Sequence, residues 1–221
     1  MKLLPLVPGR FIRRVNRFRV TVEVERVEAD AHLPNSGRLT ELLIPGRRCW
    51  LEPAEGSNRK TDYDLKLVEY AGVMVSVDAR LPNPLLAEAL EARALAPFRA
   101  CRGFEREVPL GDSRIDFRLR MPDGALWVET KSVTLVEDGV ALFPDAPTAR
   151  GSRHVQELGD VVRRGDRSAV VFVLQRPDAR SFAPHAEADP VFCASLRDAA
   201  LAGVEVHAWR FSVRKDSLAI A

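Results

Sequence analysis

Two carboxylates and one ammonium group lie close together in the stretch SRIDFRLRMPDGALWVETKSVTL. Its centre, MPDG, has strong turn residues between two strand-like runs and predicts a β-hairpin. If Met121 and Gly124 close that hairpin, Asp116 faces Glu129 across the two strands. Lys131 then lies on the same face, two residues beyond Glu129. A loop longer by one residue would instead turn Asp116 to the opposite face.

This patch predicts metal-assisted phosphoryl chemistry. Two carboxylates so close together repel each other unless a cation lies between them. Mg²⁺ binds one or two carboxylates and keeps several waters, and Mn²⁺ could take its place. Lys131 would orient or help deprotonate an attacking water and stabilise the developing charge. The alternative is a surface hairpin on which Glu129 and Lys131 form an ordinary ion pair.

The chain before residue 80 predicts an all-β domain. Short strand-like runs are broken by turn residues every eight to twelve positions or so, which favours a small barrel. A five-stranded oligonucleotide-binding (OB) barrel is the leading prediction, and an SH3-like barrel is the alternative. Alternation in RFRVTVEVERV places four apolar residues on one face: Phe18, Val20, Val22 and Val24. Strands are also predicted at 38–44 and 63–70, with a polar loop at 55–62.

The chain after residue 80 predicts an α/β domain with a mixed sheet. Helical spacing over 81–98 follows the start signal Asn83-Pro84. Strands at 105–110, 113–120 and 125–135 precede a helix at 146–164, and the apolar run 168–175 predicts a strand covered on both faces. We therefore divide the chain into domains 1–80 and 81–221.

Composition excludes several classes of protein. The 221 residues contain 33 Lys and Arg against 31 Asp and Glu, with 46% hydrophobic residues, which is typical of a globular protein and not of a disordered one. No apolar run predicts a membrane span or a secretion signal, so we expect a cytoplasmic protein with no membrane partner. Three scattered cysteines predict neither a disulfide framework nor a cysteine zinc site. The oligomeric state is left open.

Arginine dominates the positive charge and points to nucleic acid. The row RFIRRVNRFR, residues 10–19, holds five Arg among apolar residues. Arginine suits phosphate and base stacking, so Arg13 and Arg14 are predicted to bind a nucleic-acid backbone, and Arg59 in the polar loop is a further candidate. The alternative is that these arginines only form a solvent-exposed charged surface and bind no ligand.

Four blocks, namely LPNSGRL, SRIDF, WVETKSVTL and FPDAPTARGSRHVQEL, closely resemble the sugar fermentation stimulation protein A family, and the resemblance runs over nearly the whole chain. It implies an OB barrel followed by a restriction-endonuclease-like domain of the PD-(D/E)xK type, and DNA binding. Asp116 and Glu129 match the two acids of the motif, and Lys131 matches its lysine. Ile115 stands where the motif has Pro, and Thr130 where an apolar residue is expected.

The resemblance implies further site residues and the function. Glu88, on the helix that opens the second domain, would be a further metal ligand. Arg150 and His154, on the helix after the hairpin, would hold phosphate or the leaving group. The predicted function is a DNA-binding, Mg²⁺- or Mn²⁺-dependent nuclease acting on single- or double-stranded DNA. A non-catalytic DNA-binding regulator of sugar metabolism genes is the alternative, and an RNA-binding module is a third reading.

Overall fold

The computed structural model describes residues 1–54, 56 and 59–220; of the predicted polar loop, residues 55, 57 and 58 lie outside the described residues. Six strands form the first domain: β1 (Val7–Asn16), β2 (Arg19–Val24), β3 (Val27–His32), β4 (Arg48–Pro53), β5 (Tyr63–Tyr70) and β6 (Val73–Ser76).

The first five strands close into a barrel. β1 pairs with β2 and β4, β2 pairs with β3, and β4 pairs with β5, all antiparallel. A short parallel pairing of β3 with β5 closes the ring, and β6 extends it beside β5. The predicted OB barrel is therefore confirmed. The segment 38–44, predicted as a strand, is instead a series of turns.

The barrel core confirms most of the predicted alternation, with one exception. Val20 and Val22 are fully buried and Val24 is nearly so. Phe18, predicted on the same face, lies in the turn between β1 and β2 and is 47% exposed. The run is broken because a tight hairpin turn at residues 17–18 interrupts the strand before the alternation begins.

The described part of the second domain contains three helices, one 3-10 turn and nine strands. These are α1 (Pro82–Glu91), the 3-10 turn (Ala96–Phe98), β7 (Phe104–Leu110), β8 (Ser113–Met121), β9 (Gly124–Val133), β10 (Leu135–Glu137), β11 (Val140–Phe143), α2 (Ala149–Arg163), β12 (Arg167–Leu174), β13 (Ser181–Pro184), α3 (Pro190–Ala202), β14 (Glu205–Val213) and β15 (Leu218–Ile220).

Its main sheet is mixed, as predicted, with strand order β15-β14-β12-β9-β8-β7. The strands β7, β8 and β9 are antiparallel, whereas β9, β12 and β14 run parallel. β12 is buried along nearly its whole length because α1 covers one face of the sheet, and α2 and α3 cover the other. The strands β10, β11 and β13 form a separate small sheet that the sequence did not predict.

The two domains are joined by apolar and polar contacts. Trp50 and Leu67 of the barrel belong to the same apolar cluster as the buried face of α1. Fully buried Gln175, at the end of β12, accepts hydrogen bonds from the Ser76 hydroxyl (2.9 Å) and, through its backbone carbonyl, from the Ser76 N–H (3.0 Å). The start of the chain lies against the second domain, where Leu3 N donates to Asp216 O (2.8 Å). The domains are therefore packed along a continuous interface.

Among the described residues, no helix has both the length and the apolar composition that a membrane crossing requires.

Candidate active site

The predicted hairpin forms with the register that the turn implies. Met121 pairs with Gly124 around the two-residue loop Pro122-Asp123, and Phe117 pairs with Val128. The ladder of backbone pairs ends there. Asp116 on β8 and Glu129 on β9 are the residues that follow, and the predicted direct pairing of these two acids is not among the backbone pairs of the hairpin. β9 lies in the middle of the sheet, between β8 and β12, so this part of the hairpin is buried.

Asp116 is held by three hydrogen bonds. The backbone N–H of Thr130 (2.8 Å) and its hydroxyl (2.7 Å) both donate to Asp116 Oδ2. Asn83 Nδ2, from the first turn of α1, donates to Asp116 Oδ1 (2.7 Å). The Thr130 hydroxyl also contacts the side-chain oxygen of Asn83. These contacts fix the Asp116 carboxylate against both the hairpin and α1.

Glu129 is compensated by two nitrogen groups. Lys131 Nζ lies 2.6 Å from Glu129 Oε1, and His154 Nδ1 lies 2.5 Å from the same oxygen. The side chains of Glu129, Lys131 and His154 are only 5%, 11% and 3% exposed. Glu129 Oε2 is buried and has no hydrogen-bond partner within the described part of the chain. One oxygen of this carboxylate is therefore held, and the other is free to accept a ligand.

The two carboxylates have opposite electrostatic environments. Burial, and then the neighbouring charge of Glu129, raise the pKa of Asp116 above its ordinary value. Burial also acts to raise the pKa of Glu129, but Lys131 and His154 together outweigh it, so the pKa of Glu129 is lowered. The hairpin therefore holds one carboxylate that ionises easily beside one that ionises with difficulty.

His154 is a positioning residue for Glu129, not a free phosphate ligand as predicted. Its Nε2 accepts a hydrogen bond from Arg150 Nε (3.2 Å), so Nδ1 carries the proton that is donated to Glu129. Its side chain is buried because α2 packs directly on the sheet at this point. Arg150 itself is exposed at the cavity wall, so its predicted phosphate contact stays a prediction.

The site forms the floor of a cavity of about 410 Å³. Asp116, Glu129 and Lys131 line it together with residues 143–151, between β11 and the first turn of α2. The barrel contributes the opposite wall through Arg17 and the turn 35–37. The cavity therefore lies between the two domains.

A direct contact joins these two walls. The backbone N–H of Arg38 donates to Asp145 Oδ2 (2.8 Å). A Cβ atom on Gly37 would lie 2.5 Å from that oxygen, so only glycine permits this close approach. The block LPNSGRL of the barrel and the block FPDAPTARG of the second domain thus meet at the rim of the cavity.

The prediction that Glu88 is a metal ligand is wrong. Its side chain is 56% exposed and accepts a hydrogen bond from the amino group of Met1 (2.7 Å). The side chain that α1 presents to the site is Asn83, five residues earlier and therefore on a different face of the helix. In the sequence, Asn83 stands out only as part of the helix-start signal Asn83-Pro84.

Two of the three predicted barrel arginines make internal contacts. Arg14 donates to five backbone carbonyls, at 2.7–3.3 Å, in residues 16–17 and 35–38, so it holds two turns together and is wrong as a phosphate ligand. Arg59 forms an ion pair with buried Asp64 and is not the free loop cation that was predicted. Arg13 is exposed and stays a candidate.

The departure at Thr130 has a structural explanation. The motif of the resembled family has an apolar residue between its second acid and its lysine. Thr130 is instead polar and buried, and it uses both its N–H and its hydroxyl to bind Asp116. The hydroxyl at this position was the feature of the sequence that could have indicated the contact.

The site fits a hard divalent cation with few protein ligands. In the residues that the structure describes, no group of three or more His, Cys, Asp and Glu side chains is placed to hold a metal. Two carboxylates are nevertheless enough for Mg²⁺, which keeps most of its water ligands. The buried, unpartnered Oε2 of Glu129 is the observation that favours such an occupant, because a buried charged acceptor without a partner is costly.

Comparisons with known proteins agree over both domains. The family model described as SfsA N-terminal OB domain matches residues 12–77, and the one described as sugar fermentation stimulation protein RE domain matches residues 80–217. A sugar fermentation stimulation protein homolog of Moorella thermoacetica is 50% identical over 208 residues, covering 93% of this chain and 89% of that protein. A homolog of Desulforamulus reducens is 46% identical, covering 92% and 84%.

A solved structure extends the likeness to the whole fold. The structure of Pyrococcus furiosus SfsA, described as a complex with Ca²⁺, matches with a TM-score of 0.92 at 35% identity. The match covers 100% of this chain and 95% of that one. The chain therefore belongs to the sugar fermentation stimulation protein (SfsA) family.

Proposed function

We propose that this protein is a divalent-metal-dependent nuclease that binds DNA and hydrolyses a phosphodiester bond at Asp116, Glu129 and Lys131. One observation carries the proposal: a locally determined hairpin sets two acids and one amine together on the floor of a cavity of about 410 Å³. The partly compensated Glu129, with one held and one unpartnered oxygen, supports it further.

The two carboxylates would hold the metal ion. Asp116 and Glu129 are the acidic side chains in the cavity floor, and Mg²⁺ or Mn²⁺ is the occupant their hard oxygen atoms suit. When bound, such an ion supplies Lewis-acid charge to a phosphodiester. The Ca²⁺ described for the Pyrococcus furiosus protein supports this assignment, because Ca²⁺ also prefers oxygen ligands.

Lys131 would act on the attacking water and on the phosphate. Its ammonium has three N–H donors and gives one to Glu129 Oε1, which leaves donors for a water or a phosphate oxygen in the cavity. A cation in that position stabilises the charge that grows on the phosphate oxygens as the bond to the leaving oxygen breaks. His154 would keep Glu129 in place through its contact with the same oxygen.

Arg150 would bind a phosphate beside this centre. It lines the cavity, and its Nε is occupied by His154. The terminal N–H groups of a guanidinium form strong paired hydrogen bonds with phosphate oxygens. Arg150 would therefore hold either the scissile phosphate or the one next to it.

The test is a cleavage assay with a matched lysine control. The parent, Lys131→Ala and Lys2→Ala are incubated with single- and double-stranded DNA and RNA, with Mg²⁺, Mn²⁺ or EDTA. Lys2 is exposed and is not among the residues that line the cavity, so its variant should behave like the parent. We expect metal-dependent cleavage by the parent and the control, and a loss of at least about 100-fold for Lys131→Ala, which is typical when one such group is removed.

Other outcomes of the assay would support a different function or a different site. Binding of DNA by the parent without cleavage under any metal condition would reject the nuclease and favour the non-catalytic regulator. Cleavage of RNA alone would make RNA the substrate. Equal cleavage by the parent and Lys131→Ala would reject the assigned site.

A further inference from the structure

The cavity opens beside an exposed aromatic residue of the barrel. Arg17 lines the cavity, and its guanidinium carbon lies 5.4 Å from the centre of the Phe18 ring. Phe18 is 47% exposed, although nearly all other phenylalanines in the barrel and sheet are wholly or partly buried. An aromatic ring and an arginine at the rim of a proposed nuclease site require an explanation.

The segment that carries these two residues is held rigidly. The N–H of Phe18 donates to Asn16 Oδ1 (2.9 Å), and the carbonyl of Phe18 accepts from Leu33 N (2.9 Å). Arg14 donates to the carbonyl of Arg17 (2.8 Å) while it also binds the turn 35–38. The Phe18 ring is therefore exposed on a fixed backbone, which reduces the entropy that a ligand must remove on binding.

These two side chains have the chemistry of a base-stacking site. An exposed aromatic ring can stack on any nucleobase, because every base has a π-face, and an adjacent arginine adds cation–π and phosphate contacts. Arg13 is also exposed on this segment, whereas Arg19 is paired with Asp30 and Arg10 donates to the carbonyl of Gly46. The positive charge of Arg13 and Arg17 is complementary to a phosphate backbone.

We propose that Phe18 and Arg17 form a stacking site for an unpaired nucleobase, and that the substrate is therefore a single-stranded nucleic acid which passes from the β1–β2 turn into the cavity between the domains. This inference rests on the proposed function and specifies its substrate. Phe18 and Arg17 would be binding residues and would take no part in the bond-breaking step.

The shape of the site favours one strand over two. Bases in a duplex are stacked on both sides, so none is available for Phe18 unless it is first extruded from the helix. The cavity, at about 410 Å³, has the volume of a small-ligand site and is bounded by both domains. The contact of Arg38 N with Asp145 closes one end of this gap, so a duplex could reach the floor only if the walls separated.

The test measures binding with cleavage blocked. Fluorescence anisotropy in Ca²⁺ would compare labelled dT12, rU12, a dT12 duplex with dA12, and a twelve-residue abasic strand, all in the Lys131→Ala background. Phe18→Ala and Phe18→Trp are compared with Val27→Ala, which removes an exposed apolar side chain (66% exposed) from the start of β3 in the same barrel. Thermal melts check that each variant is folded.

We expect Phe18→Ala to weaken binding of the single strand by about 5- to 150-fold, the range produced by loss of one stacked base, and Phe18→Trp to restore it. Val27→Ala should bind as the background protein does, and the duplex and the abasic strand should bind weakly. Arg17→Ala should in addition lower the log–log salt slope by roughly 0.7. The dT12 and rU12 arms identify whether the strand is DNA or RNA.

The results that overturn this inference differ from those that overturn the proposed function. If single strands bind but Phe18→Ala and Val27→Ala are alike, the stacking site is wrong and the nuclease proposal stands. If the duplex binds as tightly as the single strand, the single-strand assignment is wrong. If no nucleic acid binds and the parent cleaves none, the proposed function fails and the inference fails with it.

Discussion

The substitutions Glu129→Gln and Asp116→Asn should have different effects on the stability of the metal-free protein. In Glu129→Gln, the side-chain oxygen can still accept from Lys131 and His154, but the charge that compensates Lys131 is lost. The new amide nitrogen would occupy the position of Oε2, which is buried and has no partner among the described residues. Glu129→Gln should therefore destabilise the protein.

The magnitude follows from the burial of the pair. Removal of one partner from a buried ion pair costs about 3–5 kcal/mol, and the lower end applies here because Lys131 keeps some exposure, 11%. For a chain of this length, 1 kcal/mol corresponds to roughly 2–4 °C in melting temperature. We therefore expect Glu129→Gln to melt roughly 6–12 °C below the parent in EDTA.

Asp116→Asn should be neutral or slightly stabilising under the same conditions. The amide oxygen of the substituted side chain can take the hydrogen bond from Thr130 N, and its NH₂ group can donate to Asn83 if the amide of Asn83 turns over. No buried donor is then left without an acceptor, and the repulsion between Asp116 and Glu129 disappears. We expect a change in the free energy of unfolding between zero and a gain of about 1 kcal/mol.

The assay is urea denaturation and thermal melting at pH 7, first in EDTA and then in 10 mM Mg²⁺. With a dissociation constant of about 1 mM, the parent should gain about 1.4 kcal/mol, or roughly 3–6 °C, from the metal. Neither site variant should gain as much. Glu91→Gln, an exposed amide substitution at the end of α1, should match the parent in both buffers.

Two results would refute this reasoning. If Asp116→Asn is the more damaging substitution in EDTA, then the compensated charge is not on Glu129. If the parent is folded but its melting temperature does not respond to Mg²⁺ or Mn²⁺, the metal site is wrong, and the nuclease proposal is wrong with it.

Three further predictions concern the barrel, the rim of the cavity and the dependence on pH. Arg13→Ala should leave the melting temperature unchanged and lower the log–log salt slope of single-stranded DNA binding by roughly 0.7. Arg14→Ala should lower the melting temperature, because it removes five hydrogen bonds to backbone carbonyls, and equal melting temperatures would contradict the internal role of Arg14. Gly37→Ala should separate the two walls near Asp145 and weaken nucleic-acid binding more than it lowers stability, which anisotropy and melting curves can compare. Burial first and Glu129 second raise the pKa of Asp116 above its ordinary 3.8, so stability contributed by the protonated acid is present below 3.8 and is lost as pH rises through the raised pKa. The Mg²⁺-induced rise in melting temperature should therefore shrink as the pH is lowered from 7, and a rise that stays constant down to the lowest pH at which the protein is folded would be the contrary result.

The hairpin of the candidate site is the part that sequence alone determined. The two-residue turn at Pro122-Asp123 fixes the register of the adjacent strands as far as the pair Phe117–Val128, which leaves Asp116 and Glu129 as the next residue along each strand. Both rules act over a few residues, so no knowledge of the rest of the chain was needed.

The identity of the side chains that contact Asp116 and Glu129 depended on how elements distant in the sequence pack together. A helix can present any face to a sheet, and the rotation of α1 brings Asn83 to Asp116 while Glu88 turns to Met1. Glu88 was predicted from a resemblance, which carries residue types but not the orientation of a helix in this chain. His154 was similarly assigned to the substrate because its spacing with Arg150 does not reveal that α2 buries it against Glu129.

The cavity itself was decided only by the tertiary structure. The residues that close its rim, Arg38 and Asp145, are 107 positions apart. The sequence also does not distinguish an arginine whose guanidinium faces solvent, as in Arg13, from one whose guanidinium binds backbone carbonyls, as in Arg14. Sequence patterns determine local register and periodicity because both depend on the bond geometry of near neighbours in the chain. Contacts between domains depend instead on how two whole surfaces pack, and no short sequence pattern contains that information.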